Sequence, residues 1–212
     1  GTILTSPDGT TWTAQTSGKT TALQGVTYGN DVFMVVGDSG TILASSDGTT
    51  WISVNTGVDA GPDGVLDTAD DFATVVTDSL IGVTHGNTTF IAVGDDGKIF
   101  TVPDGSSGAP TLWTERSSGI SGPLSGVTYG NGLFVTGGQS GTILTSPDGT
   151  TWTAQTSGST KHIKEVVYGN SKFVAVGEEG TMLTSSVETT YSATVSTVSM
   201  SGTDNSTSNS YQ

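Results

Sequence analysis

Five carboxylates crowd into thirteen residues of this 212-residue chain: Asp59, Asp63, Asp67, Asp70 and Asp71. With Asp59 taken as position one, Asp63 falls at five, Gly64 at six, Asp67 at nine and Asp70 at twelve, and Val65 at seven offers its backbone carbonyl. Calcium is held by six to eight oxygens at about 2.3–2.6 Å, and a glycine at position six makes the bend that turns the side chains inward. Without a cation the five charges repel one another. The spacing therefore predicts a structural Ca2+ site built from Asp59, Asp63, Val65, Asp67, Asp70 and Asp71. Gly61 at position three, and Asp70 where a bidentate Glu is usual, lower the expected affinity. The alternative is an acidic, turn-rich surface loop that holds no metal.

Catalytic spacing is sparse by comparison. Gly37-Asp38-Ser39-Gly40 has the residue types of a serine-nucleophile segment, but the same slot recurs as Gly94-Asp95-Asp96-Gly97, Gly138-Gln139-Ser140-Gly141 and Gly177-Glu178-Glu179-Gly180. A hairpin turn that accepts any polar pair is expected there. The neighbouring carboxylates Asp95-Asp96 and Glu178-Glu179 would suit glycoside hydrolysis only if placed across a cleft at a set separation. Turn neighbours do not establish that. His85 and His162 are too few and too far apart for a zinc site, and there is no cysteine to complete one. No catalytic residue is assigned, and a non-enzymatic role is expected.

The elements that position these residues are read from repetition. Residues 1–18 recur unchanged at 141–158, and the segment beginning GTIL returns at Gly1, Gly40, Gly97, Gly141 and Gly180, spaced 39, 57, 44 and 39 residues apart. A second segment, GVTYGN or a close variant, begins at Gly25, Gly82, Gly126 and Glu165. The longer spacings reduce to an eighteen-residue insertion after Trp51 and a five-residue one between Asp104 and Trp113. A fixed period near 40 is the mark of solenoids and propellers, in which one unit cannot bury its apolar face alone. Within a unit, short β-branched and aromatic runs at residues 25–28, 33–36, 41–44 and 50–54 are separated by Gly, Asn and Asp, where tight hairpins need positive φ. Four antiparallel strands per unit describe a propeller blade. The fold class expected is all-β: a β-propeller of about five blades of four antiparallel strands, the first incomplete at its N-terminus because only four copies of the first hairpin accompany five of the second.

The turns Ser6-Pro7-Asp8-Gly9-Thr10-Thr11-Trp12, Ser45-Ser46-Asp47-Gly48-Thr49-Thr50-Trp51 and Ser146-Pro147-Asp148-Gly149-Thr150-Thr151-Trp152 resemble Asp-boxes, the bacterial neuraminidase repeats, with Gly one residue earlier than in the commoner form. Together with the YGN…F…VG half, they resemble propeller modules of bacterial and archaeal cell-surface proteins. The likeness runs from residue 1 to about 191. It implies that Asp8, Asp47, Asp104 and Asp148 cap hairpins through backbone amides, while Trp12, Trp51, Trp113 and Trp152 pack between adjacent blades. Sialidase activity is not implied: a sialidase holds its substrate carboxylate with three arginines, and this chain has only Arg116. The acidic insertion, in turn, resembles the calcium loop of EF-hands and dockerins, without their flanking helices. His85 stands in the column held by Tyr28, Tyr129 and Tyr168, which is expected to be blade core or channel lining.

Composition narrows the class further. A net charge of −14 with six basic residues leaves no stripe to neutralise phosphates, so nucleic acid is not an expected partner. No apolar run of membrane-spanning length is present, so direct membrane insertion is not expected. Residues 1–200 read as one propeller domain carrying the inserted acidic loop at 58–80, followed by a Ser/Thr/Asn-rich tail at 201–212. The last copy is degraded, with Val187, Glu188 and Tyr191 at the Asp, Gly and Trp positions, and residue 1 falls inside a blade, as a fragment or processed end would. Naked strand edges are normally covered, so the unpaired first blade predicts self-assembly or a partner. Two roles follow: an extracellular, cell-surface module that binds protein or glycan for adhesion, or a structural subunit of a filament, pilus-like fibre or surface layer.

Overall fold

A computed structural model of the chain describes residues 1–54, 58–59, 72–73, 76–104 and 113–185. Among them the only regular structure besides β-strands is a set of single 3-10 turns, and no helix is long and apolar enough to cross a membrane. Three sheets have four strands each: β3 (Leu23–Gly29) to β6 (Ile52–Ser53), with β4 (Val32–Gly37) and β5 (Thr41–Ser45) between; β9 (Leu80–Gly86), β10 (Thr89–Gly94), β11 (Ile99–Pro103) and β12 (Thr114–Arg116); and β13 (Leu124–Gly130), β14 (Leu133–Gly138), β15 (Ile143–Ser146) and β16 (Thr153–Gln155). They are flanked by a two-stranded hairpin, β1 (Ile3–Thr5) with β2 (Thr13–Gln15), and by a three-stranded sheet, β17 (Ile163–Gly169), β18 (Lys172–Gly177) and β19 (Met182–Thr184). The fold is a β-propeller, its blades running in chain order and its first blade holding only the outer two strands.

Local chemistry explains the meander. The connection from β3 to β4 is the two-residue turn Asn30-Asp31, at φ 46° and 60°, and Asn87-Thr88 and Asn170-Ser171 repeat it. Two successive left-handed residues form the hairpin turn whose twist matches that of the strands, and Asn bears the positive φ at low cost. At the next connection Ser39, Asp96, Ser140 and Glu179 all take φ of 53–55° ahead of a left-handed glycine. The first polar residue of each such turn donates its N–H to the residue that precedes the blade's inner strand: Asp38 to Ala22, Asp95 to Ser79, Gln139 to Pro123 and Glu178 to His162, all at 2.9 Å. The slot that resembled a nucleophile segment is thus a backbone clasp, indifferent to its side chains.

β4 is an unbroken apolar run because side chains on both of its faces are buried, Met34 and Val36 on one and Val35 on the other. Met34, Val36, Ile42 and Ala44 face the next blade, where they meet Leu80, Phe90, Phe100 and Trp113. Phe134, Leu124 and Leu144 meet Ile91, Val93 and Ile99 of the blade before in the same way. Phe90 and Phe134 are completely buried, and each side chain of this size contributes roughly 1.5–3 kcal/mol by leaving water. The clusters therefore lie between blades rather than within them.

The strand expectations hold in number and order for the three complete sheets, with one adjustment. The outermost strand is shorter than expected, only Ile52–Ser53 in the second blade, because nothing lies beyond it. The fourth strand of the last blade and its degraded turn, Val187, Glu188 and Tyr191, lie outside the described residues, as does the tail at 201–212.

Candidate functional site

The acidic insertion leaves the lattice between β6 and β9. At its base β7 (Val58–Asp59) pairs antiparallel with β8 (Phe72–Ala73), the backbone of Asp59 lying opposite Phe72. Phe72 follows Asp71 in sequence, so the two ends of the acidic segment meet. Asp63, Val65, Asp67, Asp70 and Asp71 lie outside the described residues.

The aspartates of the repeated turns are placed atom by atom. Asp8 Oδ1 accepts N–H bonds from Thr10 and Thr11 at 2.8 and 2.9 Å; Asp47 accepts from Thr49 and Thr50, both at 2.7 Å; Asp148 accepts from Thr150 and Thr151 at 2.8 and 3.3 Å. In each turn a serine hydroxyl, of Ser6, Ser45 or Ser146, donates to the same carboxylate and accepts the N–H of the following glycine. Backbone N–H donation favours the ionised form, which holds Asp148 down at about 2 and Asp8 and Asp47 lower still. The indole N–H of Trp51 and of Trp152 closes the turn by donating to Gly48 and Gly149.

Asp104 accepts from His85 Nε2 at 2.9 and 3.1 Å, and the amides at 106 and 107 that its turn would offer lie outside the described residues. Trp113, 3% exposed, lies between the second and third blades, and Trp51 and Trp152 pack at the interfaces before and after, but Trp12, expected between blades, is 58% exposed, with no blade against it among the described residues.

The inner strands carry a second pattern, in the column expected to be blade core or channel lining, whose contacts the sequence did not specify. His85, Tyr129 and Tyr168 each lie against the glycine that ends the previous blade's inner strand. A Cβ added at Gly29 would stand 2.1 Å from His85 Cγ, one at Gly86 2.2 Å from Tyr129 Cγ, and one at Gly130 2.1 Å from Tyr168 Cγ. Each ring also tilts onto the phenylalanine across its own hairpin, with centroids 4.5–4.8 Å apart for His85–Phe90, Tyr129–Phe134 and Tyr168–Phe173. The signal was present in the spacing: Tyr or His directly before Gly-Asn, four times. What the ring touches is in another blade, and no local window contains it.

At the N-terminal end no described residue repeats the pattern against Tyr28. Tyr28 and Val26 are exposed where the inner strands of the first blade would cover them, beside a cleft of about 420 Å³ lined by Ile3, Leu23, Phe33, Val35 and Trp51. A second cleft, about 780 Å³, separates the last two blades between Leu133, Ile143, Tyr168, Phe173 and Leu183. It lies at the outer interblade position where Trp51, Trp113 and Trp152 pack elsewhere; the residue of their column at this interface, Tyr191, lies outside the described residues.

One further polar pair has the residue types of catalysis. Ser125 Oγ lies 2.7 Å from His162 Nε2, and burial, followed by the charge of Lys164, holds His162 below its ordinary pKa. Lys164 Nζ lies 3.2 Å from Nδ1, where a carboxylate would orient a general base. A lysine donating to Nδ1 leaves the ring proton on Nε2, directed at the serine, the reverse of what deprotonation needs. Glu178 and Glu179 are tied to Lys164 and Lys161 at 2.9 and 2.7 Å.

No protein-family model matches the sequence, and no curated protein sequence does either. Solved structures do match in fold. The computationally designed Ika4 protein superposes with a TM-score of 0.56 at 12% identity, over 79% of this chain and 92% of that one. YCF48 bound to D1 peptide gives 0.55 at 20% identity over 80% of this chain, and YCF48 from Cyanidioschyzon merolae gives 0.54 at 18% over 79%. The chain spans about half the length of these two YCF48 chains, 52% and 54%. The likeness is one of fold.

Proposed function

We propose that the chain is a non-enzymatic Asp-box-type propeller module of an extracellular, cell-surface protein, in which the inserted loop binds calcium and the propeller presents a surface to protein or glycan. The observation that carries this reading is the ribbon β7–β8, which pairs Asp59 with Phe72 and brings together the ends of a segment whose carboxylates have calcium-loop spacing. Calcium would be held by Asp59, Asp63, Val65, Asp67, Asp70 and Asp71 and would stiffen the one segment that the repeat does not require. The capping aspartates and the clasp turns are spent on scaffold, which supports a binding role over a hydrolytic one. Calorimetry of the purified chain with Ca2+ is expected to give one-site uptake, chelator to lower the melting temperature, and a glycan array to respond only with calcium present. Absence of both calcium uptake and chelator sensitivity would overturn the reading.

A second reading, a structural subunit of a filament or surface layer, is favoured by a different observation: both end faces of the array present apolar side chains, Val26 and Tyr28 at one end, Val167, Val176 and Met182 at the other. Concentration-dependent assembly into long particles is its test, and a strictly monomeric chain would exclude it.

A further inference from the structure

The fourth and fifth blades meet at a histidine where the earlier blades carry no ionisable group. The residue whose carbonyl receives the clasp N–H is Ala22, Ser79 and Pro123 in the second, third and fourth blades, and His162 in the fifth. The ring reaches across to the preceding blade, where Nε2 lies 2.7 Å from the hydroxyl of Ser125 on β13. Ser125 is buried, and a Cβ added at Gly82 would stand 2.2 Å from its carbonyl. Its backbone is therefore wedged against the third blade while its side chain meets the fifth. His162 is held as firmly: its carbonyl accepts the Glu178 N–H at 2.9 Å, and a Cβ added at Gly177 would stand 2.2 Å from that oxygen. Neither partner shifts without undoing a backbone contact.

The cation beside the ring sets its protonation. Lys164 Nζ lies 3.2 Å from Nδ1 and, having only protons to give, makes Nδ1 the acceptor. The neutral ring then carries its one proton on Nε2 and donates it to Ser125 Oγ. A second proton must go to Nδ1, where it faces an ammonium group on a half-buried ring. Burial first, and the Lys164 charge second, oppose that proton. The other charges nearby do not reverse the balance among the described residues. Glu178 favours a charged ring, but its carboxylate is bound to Lys164 at 2.9 Å, and Glu179 is bound to Lys161 at 2.7 Å. Glu165, next on β17, accepts the N–H of Val166 at 3.1 Å. The fourth-blade turn packed on β17 offers only Gln139 and Ser140; the third-blade turn packed on β13 carries Asp95 and Asp96, and neither is among the charges that act on His162.

We propose that His162 is a proton-sensitive joint between the fourth and fifth blades: neutral, it bridges Ser125 and Lys164 and seats the fifth blade; protonated, it expels Lys164 and loosens that blade from β13. Loosening follows from the donor count. With both ring nitrogens protonated, Nδ1 has no lone pair for Lys164, which keeps only Glu178 as partner. The charge left on the ring is half-buried, and water solvates it more fully as the fifth blade moves off Ser125. The direction in pH is set by which state takes the proton first. A detached segment binds it near the ordinary histidine value of about 6.5, before the closed joint does, so the joint is fully stable above that value and loses stability as pH falls through it. This window lies well above the one in which the capping carboxylate of Asp148, held at about 2, takes up its proton.

The joint is independent of calcium and of any bound partner, and its test is run on the full chain at fixed calcium. Long-range proton–nitrogen NMR is expected to show His162 as the Nε2–H tautomer at neutral pH, titrating below a histidine of the denatured chain. Amide exchange of β17 and β18, corrected for intrinsic chemistry, is expected to accelerate several-fold relative to β9 and β10 on going from about pH 7.5 to about pH 5.5. His162→Gln keeps an N–H for Ser125 and does not titrate, so it is expected to abolish that acceleration while leaving exchange at about pH 7.5 within roughly twofold of the parent. Lys164→Met removes the opposing cation and is expected to raise the His162 midpoint and shrink the acid effect. An Nδ1–H tautomer, a midpoint at or above that of the denatured chain, or an acceleration that H162Q retains would overturn the joint. The expected tautomer with exchange that ignores pH would reduce the pair to a static hydrogen bond and overturn it equally.

Discussion

The glycines at the ends of the inner strands offer a comparison in which one substitution is made in the same sequence context and only the neighbouring blade differs. Gly86 has no positive φ, so alanine there meets no backbone penalty, and in strand geometry it regains roughly 0.5–1 kcal/mol that glycine forfeits to entropy. The cost is steric. The new Cβ would lie 2.2 Å from Tyr129 Cγ, 2.3 Å from Cδ1 and 2.5 Å from Cβ. Carbon contacts relax near 3.5–4.0 Å, so roughly 1 Å must open. The Tyr129 Cβ is tied to its own strand, and rotating the ring does not remove it; the third and fourth blades must separate locally. Overpacking of this kind costs about 1–3 kcal/mol, and for a chain of this length each kcal/mol lowers the melting temperature by about 2–4 °C. Gly86→Ala is therefore expected to melt roughly 3–10 °C below the parent, whereas Gly169→Ala, with nothing within 4 Å, is expected to be neutral or stabilising by up to about 1 kcal/mol. Thermal and urea melts at low micromolar concentration measure both. Equal effects at the two positions would refute the ring-on-glycine account of interblade packing.

The capping carboxylates predict acid sensitivity. Asp148 is held at about 2, against an unfolded value near 3.9, so its stabilisation is fully present above the unfolded value and is lost as pH falls toward 2. Asp148→Asn keeps an acceptor for the turn amides but does not titrate, and is expected to flatten the melting temperature between pH 5 and pH 2; an unchanged slope would contradict the assignment. Trp113→Ala is expected to cost about 3–5 kcal/mol and Trp12→Ala less than about 1, read from denaturant midpoints, since one indole is buried between blades and the other faces solvent. Asp67→Asn is expected to weaken calcium uptake by roughly tenfold, measured by calorimetry, because ligand charge sets the affinity of such loops; unchanged uptake would place the ion elsewhere.

Strand identity, blade order and the phase of the repeat were legible without coordinates because they are local. Asn30-Asp31 and its counterparts need positive φ, Gly-bounded apolar runs alternate at strand period, and the copies of residues 1–18 and 141–158 set the register of one blade against another. The capping role of Asp8, Asp47 and Asp148 is equally local, since the amides they accept from are two and three residues away. Spacing alone marked the acidic segment as distinct, and it did so because the lattice has no use for it.

Contacts between blades were decided only by tertiary structure. That Tyr129 rests on Gly86, that Asp104 is occupied by His85, and that identical sequence leaves Trp12 exposed while Trp152 packs between blades all depend on what stands beside the residue. Residues 1–18 and 141–158 are the same eighteen residues in two environments. Sequence determined the shape each copy takes, because turns and hairpins are satisfied within the copy. The structure determined which copies are covered, because an apolar face is satisfied only by a neighbour, and a repeat array has a neighbour on both sides everywhere except at its ends.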